Sequence, residues 1–264
     1  MLFKVDWLSH LHNTRKKEID IIFDYFGNLK FDSGLELGAG DGFQTSILSS
    51  HLHKLISADL NFDRIKIKIP SVEYIKCDAD RIGGFFREGQ FDIIFTSSLL
   101  EHLSDLEGFL KNSKVFLKDD GFSVHVVPNR FMKIAYLVMF YPNLFLLILD
   151  RVVGVFKGKK VFQGNKNSSE NNINSANNTK SNSRFSKYKK VFFPSIHGNY
   201  SSHYEEFIKW GKGHWRITFK KAGYKIVTEL PTSVHSGYGF GFDSVRRILE
   251  KFGFSSLTIF ILKK

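Results

Sequence analysis

The sequence predicts an α/β protein in which a parallel, doubly wound sheet carries helices on both faces. Three observations predict this class. Short apolar segments typical of strands alternate with helical patterns along most of the chain. A glycine-rich turn, Gly38 to Gly42, follows the first of these strands and opens onto a helix. Acids and serines stand where several strands end, which is where ligands of such sheets bind.

The predicted elements follow one another in the order that such a sheet requires. A helix over residues 14–26 has apolar residues at helical spacing, Asn13 or Thr14 as its N-cap and Gly27 as its stop. Its basic turn, residues 15–17, is expected to be solvated. Further strands and helices follow the same logic. Strands are expected over 33–37, 54–59, 72–79, 91–96, 121–127, 224–230 and 257–262, and helices over 43–50, 103–117, 204–210 and 215–223, with a helix or turn over 242–252.

Length and composition bound the class of protein. The 264 residues, 42% of them hydrophobic, are enough for one domain over 1–264 with a full core. The single cysteine, Cys77, excludes an internal disulfide and a thiolate zinc cluster. With no evident signal peptide over 1–13, we expect a cytoplasmic protein. The net charge of +12 favours an anionic partner: nucleic acid, an anionic membrane or a phosphorylated substrate.

The character of the chain changes after Pro128, and we predict an insert over residues 129–200. Its apolar part, 131–149, contains Lys133 and a Pro142-Asn143 break, which favours two short helices over one spanning helix. These helices either cover the active site or lie in a membrane interface, since basic residues follow at once, as beside an anionic leaflet.

The rest of the insert, residues 157–190, is rich in Asn, Ser and Lys and is predicted to be disordered. Much of the excess positive charge stands there. Because a flexible basic loop binds polyanions without selectivity, this charge gives little support to a nucleic-acid partner.

The glycine turn indicates its ligand through its acids. Glu36 and Asp41 would repel a pyrophosphate, so a dinucleotide or P-loop ligand is disfavoured. S-adenosylmethionine, which carries a sulfonium and an amino group, fits better. Asp59 stands about 20 residues after Gly38, the spacing at which a carboxylate reaches ribose hydroxyls.

Several segments together resemble the class I S-adenosylmethionine-dependent methyltransferases, in particular those of type 11. Residues 36–42 are similar to motif I, 77–79 to the adenine-contacting segment and 91–103, with its Leu-Glu-His-Leu ending, to motif IV. Residues 219–224 resemble the last helix-to-strand step. The resemblance covers 35–127 well and 215–262 loosely. It implies a Rossmann-like, seven-stranded sheet whose last strand is antiparallel and inserted beside the fifth.

The resemblance also implies a role for each cofactor-binding residue. The methionine part would be held by the amides of the turn, at Gly38, Ala39 and Gly40, and the ribose by Asp59, with Leu60 beside it, at the end of the second strand. The adenine would be held after the third strand by Asp78 and Ala79, and the methyl group would lie beside Ser97 at the end of the fourth. Glu36 would anchor the turn or the amino group.

Two histidines are candidates for catalysis. His102 follows the fourth strand, where a neutral imidazole could accept a hydroxyl proton, although the Glu101-His102 pair could instead cap the next helix. His197-Gly198 resembles a His-Gly of methyltransferases from cell-surface glycan gene clusters, which implies a substrate-side role for His197; a capping or core histidine is the alternative. No metal is expected, because a surface helix start explains His203, Glu205 and Glu206.

The segment after the fourth strand also bears on the acceptor. Enzymes that methylate DNA bases carry an Asn/Asp-Pro-Pro-aromatic or Pro-Cys segment where this chain has Ser97-Ser98-Leu99, so we do not expect methylation of DNA bases, and RNA is disfavoured. We therefore expect O-methylation of a small-molecule, sugar or lipid-linked acceptor, in the cytoplasm or peripherally at the inner face of the membrane. The alternatives are an RNA or protein methyltransferase that uses the basic loop, and a non-catalytic protein that binds S-adenosylmethionine.

Overall fold

The computed structural model of this chain describes residues 7–156, 194–238 and 243–264. Within these residues, seven strands form one sheet and seven α-helices accompany them. The strands are β1 (Phe31–Leu37), β2 (Leu52–Asp59), β3 (Val72–Lys76), β4 (Phe91–Ser97), β5 (Leu117–Pro128), β6 (Lys225–Pro231) and β7 (Leu257–Lys263). The helices are α1 (Trp7–Phe26), α2 (Phe43–Leu48), α3 (Leu106–Phe116), α4 (Arg130–Phe156), α5 (His203–Lys209), α6 (Lys212–Lys221) and α7 (Asp243–Lys251).

The sheet has the predicted topology. Its strand order is β3-β2-β1-β4-β5-β7-β6; the pairs from β3 to β5 are parallel, and β7 is antiparallel to both β5 and β6. Leu37 at the end of β1 lies opposite Ala58 on β2 and Thr96 on β4. The carboxyl ends of these three strands therefore meet at one edge, and this edge carries the candidate site.

Apolar side chains cover both faces of the sheet, which is why the buried strands are apolar almost throughout. On one face, Leu37 and Ile94 pack with Phe109 of α3 and Trp215 of α6. On the other face, Ile19 of α1 belongs to a second cluster with residues of the central strands. β7 lies between two strands and is buried along nearly its whole length.

Several predicted boundaries are wrong. α1 includes residues from Trp7 onward, so neither Asn13 nor Thr14 is its N-cap. The Thr14 hydroxyl instead donates to the His10 carbonyl, 3.0 Å away and four residues earlier, which is a contact made inside a helix. β3 ends at Lys76, before Asp78, whereas β5 begins four residues earlier than predicted.

The prediction of two short helices over 131–149 is also wrong. The single helix α4 continues through Pro142. Proline removes one backbone hydrogen bond there, but the long flanking runs of apolar residues keep the helical path on either side. Asn129 accepts the N–H groups of Phe131 (3.0 Å) and Met132 (3.3 Å) and so begins the helix. The predicted disordered loop, 157–190, lies outside the described residues.

The chain divides into two compact units, Met1–Tyr136 with Ile196–Lys264, and Leu137–Ser195. The sheet belongs to the first unit. The extent of the domain and of its insert stays a prediction. Among the described residues, Arg130–Leu149 is the one helical stretch whose length and apolar composition would suffice to cross a bilayer, and only 11% of an 18-residue apolar part of it is buried. Val138, Tyr141, Phe145 and Ile148, at helical spacing, are exposed.

Candidate functional site

The glycine turn after β1 is closed on one side and open on the other. Gly42 has a φ of 89°, and a Cβ there would lie 2.1 Å from the Ile67 carbonyl oxygen, so only glycine fits. The N–H groups of Lys66 and Ile67 both donate to the Asp41 carbonyl at 2.9 Å. A Cβ on Gly40, by contrast, would meet no atom within 4 Å, which leaves an open face above that residue.

Asp59, at the end of β2, lies beside this open face. The residue is buried, with 9% of its surface exposed. One carboxylate oxygen accepts the Gly40 N–H at 2.9 Å, and the other accepts the Asn61 N–H at 2.7 Å. A carboxylate has about four acceptor positions, so Asp59 can accept further donors such as hydroxyls.

Glu36 lies beneath the turn and fastens it. Its Oε2 accepts the hydroxyl of Thr45 on α2 at 2.5 Å and that of Ser57 on β2 at 2.8 Å. Burial raises the pKa of Glu36 to about 7; the two hydroxyl bonds oppose this rise, and the nearby carboxylates of Asp59 and Asp41 add to it. Of the two predicted roles of Glu36, these contacts match that of an anchor for the turn.

The backbone donors of the turn already have partners within the chain. The N–H groups of Gly38 and Ala39 donate to the Ala58 carbonyl at 2.8 and 3.1 Å, and that of Gly40 donates to Asp59. These bonds tie the turn to β2.

The residues predicted to contact ribose and adenine lie beyond β2 and β3. Leu60 is exposed and lines a groove of about 470 Å³ together with Phe62 and Tyr74. Asp78 begins the short 3₁₀ helix over 79–81 by accepting the Asp80 N–H at 3.1 Å. The side chain of Ala79 packs against the core, so its free surface is its backbone.

An unpredicted charged pair from α1 reaches Ser97. The Arg15 guanidinium donates to the hydroxyls of Ser97 and of Ser98, the latter at 3.1 Å. It also lies 2.9 Å from Glu18, and its side chain is only 19% exposed. The expectation that the basic turn is solvated is therefore right for Lys16 and wrong for Arg15.

Glu18 is fully buried next to the glycine turn. Its Oε2 accepts from Ser97 at 3.1 Å and from the Gln44 amide at 3.3 Å, while its Oε1 has no hydrogen-bond partner in the part of the chain that the structure describes. A buried carboxylate oxygen without a partner is costly, and a cationic ligand group would satisfy it. Ser98 has a φ of 50°, an uncommon conformation for serine that is typical of functional sites.

A second contact holds α1 on the turn. His12 Nε2 lies 2.7 Å from the Asp41 carboxylate, and the His12 ring stacks on Phe43 with centroids 3.9 Å apart. Together with Arg15, this contact fixes α1 over the carboxyl ends of β1 and β4.

The two predicted catalytic histidines belong to segments that pack on each other. Asn199 donates its N–H to the Glu101 carbonyl at 3.0 Å. Gly198 has a φ of 77°, and a Cβ there would lie 2.5 Å from the same oxygen. Desolvation lowers the pKa of His102; it also lowers that of His197, to about 4, with smaller effects from the charges of Lys133 and His102. His197 is thus neutral at pH 7.

Aromatic rings surround His197. The Tyr136 ring meets it edge-on at 4.8 Å and stacks on Tyr238 at 5.1 Å. Beneath them, Lys133 and Glu206 form a fully buried ion pair, and Lys133 Nζ lies 2.9 Å from His203 Nδ1. The prediction of a surface helix start is therefore wrong for Glu206. The described residues contain no group of three or more His, Cys, Asp or Glu suited to a metal ion.

A family model described as "Methyltransferase domain" matches residues 35–125. This segment is therefore similar to a methyltransferase domain, in agreement with the family that the sequence resembles. The match runs from β1 into β5 and contains the glycine turn, Asp59 and His102. No curated protein matches the sequence.

Solved structures of S-adenosylmethionine-dependent methyltransferases are similar to this chain in fold. A complex of an activator protein with a proposed methyltransferase from Haloferax volcanii gives a TM-score of 0.57 at 10% identity, covering 97% of this chain and 91% of that one. A proposed S-adenosylmethionine-dependent methyltransferase from Listeria monocytogenes gives 0.54 at 11%, covering 95% and 97%. One from Thermotoga maritima, described as a possible histamine N-methyltransferase, gives 0.53 at 14%, covering 96% and 91%.

These identities show the fold alone. The similarity to methyltransferases of glycan gene clusters stays a prediction.

The residues present fit S-adenosylmethionine, the cofactor of this class. Asp59 offers acceptor positions for hydroxyls, the open face above Gly40 offers space, and the unpartnered Oε1 of Glu18 offers a negative atom for a cationic group. Sequence reasoning missed Glu18 and Arg15. Both lie on the face of α1 that also carries the buried residues Ile19 and Ile22. This shared helical face is the feature of the sequence from which their burial could have been predicted.

Proposed function

We propose that this methyltransferase transfers a methyl group to a hydroxyl oxygen of a small-molecule, sugar or lipid-linked acceptor. The proposal depends on one observation: residues 197–199 pack on the Glu101 carbonyl. The segment that contains His197 therefore contacts the segment that contains His102. Their lowered pKa values leave both imidazoles unprotonated at neutral pH, the form that a general base needs. Deprotonation matters most for a hydroxyl acceptor, because an alcohol is a poor nucleophile until its proton leaves.

S-adenosylmethionine, when bound, supplies an electrophilic methyl group. Asp59 would hold the ribose hydroxyls, Asp78 and Ala79 the adenine, and Glu18 the amino group. His102 or His197 would accept the acceptor's proton, and Tyr136 would keep the His197 ring oriented. The remaining contribution of the protein is alignment of the acceptor oxygen with the methyl group.

We expect His197→Gln to lower turnover by about 100-fold to 10,000-fold, the usual range for loss of a general base, without changing S-adenosylhomocysteine affinity. Because its pKa is about 4, wild-type activity should be flat near neutrality and fall only as the pH drops through that value. His53→Gln is the matched control, since His53 is exposed on β2. His102→Gln tests the other imidazole; full activity in both single variants would contradict a histidine base.

Transfer to an unknown acceptor can be measured with methyl-labelled cofactor and a cell lysate. We expect the label in a glycan or lipid fraction. Label in RNA or protein alone would overturn the proposed acceptor class, and tight cofactor binding with no transfer to any fraction would favour a non-catalytic protein.

We further propose that the protein works in the cytoplasm, peripherally at the inner membrane face. The exposed row of Val138, Tyr141, Phe145 and Ile148 supports this, as does the basic sequence that follows. Flotation with anionic liposomes is expected to be positive and to be lost in Val138→Ser/Phe145→Ser. Serine substitutions at the equally exposed Val245 and Phe252 should have no effect; equal loss there would refute a specific contact.

A further inference from the structure

Four residues with basic side chains lie near one another, and one of them, Arg15, donates to Ser98. His10 and Arg15 come from α1, His235 follows β6, and Arg246 belongs to α7. Arg246 Nη1 lies 3.2 Å from His10 Nδ1. The charges of Arg15, His10 and Arg246 all act on the His235 imidazole. These four residues are called the basic cluster below.

The backbone of His235 is held by hydrogen bonds, while its ring atom Nε2 lacks one among the described residues. Its N–H donates to Ser256 Oγ at 2.7 Å, and the Ser256 hydroxyl donates back to the His235 carbonyl at 2.5 Å. The ring atom Nε2 is buried and has no hydrogen-bond partner within residues 7–156, 194–238 and 243–264. A buried ring nitrogen of this kind indicates that a ligand atom completes the contact.

The hydrogen-bond donors of the cluster indicate the ligand. The cluster contains two guanidinium groups, those of Arg15, which also bonds Glu18, and of Arg246. Both imidazoles can add N–H donors. Guanidinium and imidazole N–H groups together suit an oxyanion.

The position of the cluster indicates which molecule carries the oxyanion. In the strand order, β2 with Asp59 lies on one side of β4, and β6 lies at the opposite edge of the sheet. His235 and Arg246 both follow β6. His235 also stands three residues before Tyr238, which stacks on Tyr136 beside His197.

We propose that His10, Arg15, His235 and Arg246 bind a phosphate or carboxylate group of the methyl acceptor. The proposal rests on the proposed function and narrows it to anionic acceptors. His235 Nε2 donates to one oxygen and the Arg246 guanidinium to the same group, while Arg15 joins this subsite to Ser97 and Ser98.

The test is calorimetric titration of inorganic phosphate into protein saturated with S-adenosylhomocysteine. Wild-type protein is expected to bind phosphate, and Arg246→Gln to bind it about tenfold more weakly, as for a lost charge-assisted bond. Arg247→Gln is the matched control: the same substitution at the next, exposed position of α7. Circular dichroism melts check that both variants fold.

Three outcomes would overturn the proposal. They are absence of phosphate binding by wild type, equal weakening in Arg246→Gln and Arg247→Gln, and a loss of S-adenosylhomocysteine affinity in Arg246→Gln that is not seen with 5′-methylthioadenosine. The last would show that the cluster holds the cofactor's own carboxylate. If wild type binds no S-adenosylhomocysteine at all, the methyltransferase function fails first, and this is a distinguishable result.

Discussion

Replacing Asp59 with asparagine is expected to weaken S-adenosylhomocysteine binding by about 100-fold to 10,000-fold. The carboxylate already holds the Gly40 and Asn61 N–H groups and would accept the ribose hydroxyls. The side-chain amide of asparagine carries no negative charge. Its NH₂ group would be a donor at a position where the carboxylate oxygen accepts from other donors. Two lost charge-assisted hydrogen bonds at about 1.5–3 kcal/mol each give the stated range. Isothermal calorimetry measures it.

Asp24→Asn is the control for this experiment. Asp24 is exposed near the end of α1, and the same change of charge there should leave the affinity unchanged. Unaltered affinity in Asp59→Asn would contradict the placement of the cofactor at this end of the sheet.

The buried pair of Lys133 and Glu206 predicts the largest effect on stability. Both side chains are 0% exposed. Lys133→Met would leave the Glu206 carboxylate uncompensated inside the protein, and we expect the free energy of unfolding in urea to fall by about 3–5 kcal/mol. The double variant Lys133→Met/Glu206→Leu should regain most of this, because an apolar pair in place of a buried ion pair is often neutral.

Lys16→Met provides the comparison at the surface. Lys16 pairs with Asp20 at 2.7 Å, but both side chains are largely exposed. Its loss should cost about 0.5 kcal/mol or less, since such pairs are screened by water. A double variant no more stable than Lys133→Met would show that the pair matters through shape and not through charge.

The sheet and the residues at its edge could be predicted from sequence for one physical reason. In a parallel sheet the carboxyl ends of neighbouring strands meet, so Asp59 and Ser97 come together whatever the helices do. Errors of one to four residues in the strand boundaries do not move these side chains to another edge.

The contacts that the sequence did not reveal are tertiary. Arg15 looked solvated because a helical pattern considers only its own helix, whereas its partners are the serines at the end of β4. Glu206 looked like a surface residue because its partner, Lys133, belongs to a helix distant in sequence. Pro142 was expected to end a helix by a local rule, which the surrounding apolar sequence overrides.

The place of β7 has a consequence for how the chain folds. In the part of the chain that the structure describes, β6 joins the sheet through β7, and Leu257 of β7 pairs with Pro128 of β5 across nearly half the length of the sequence. During synthesis the apolar edge of β5 therefore stays unpaired until β7 has left the ribosome. An open strand edge is a template for association with other chains, and distant pairings form slowly, so newly made protein passes through an interval in which chaperones would protect it.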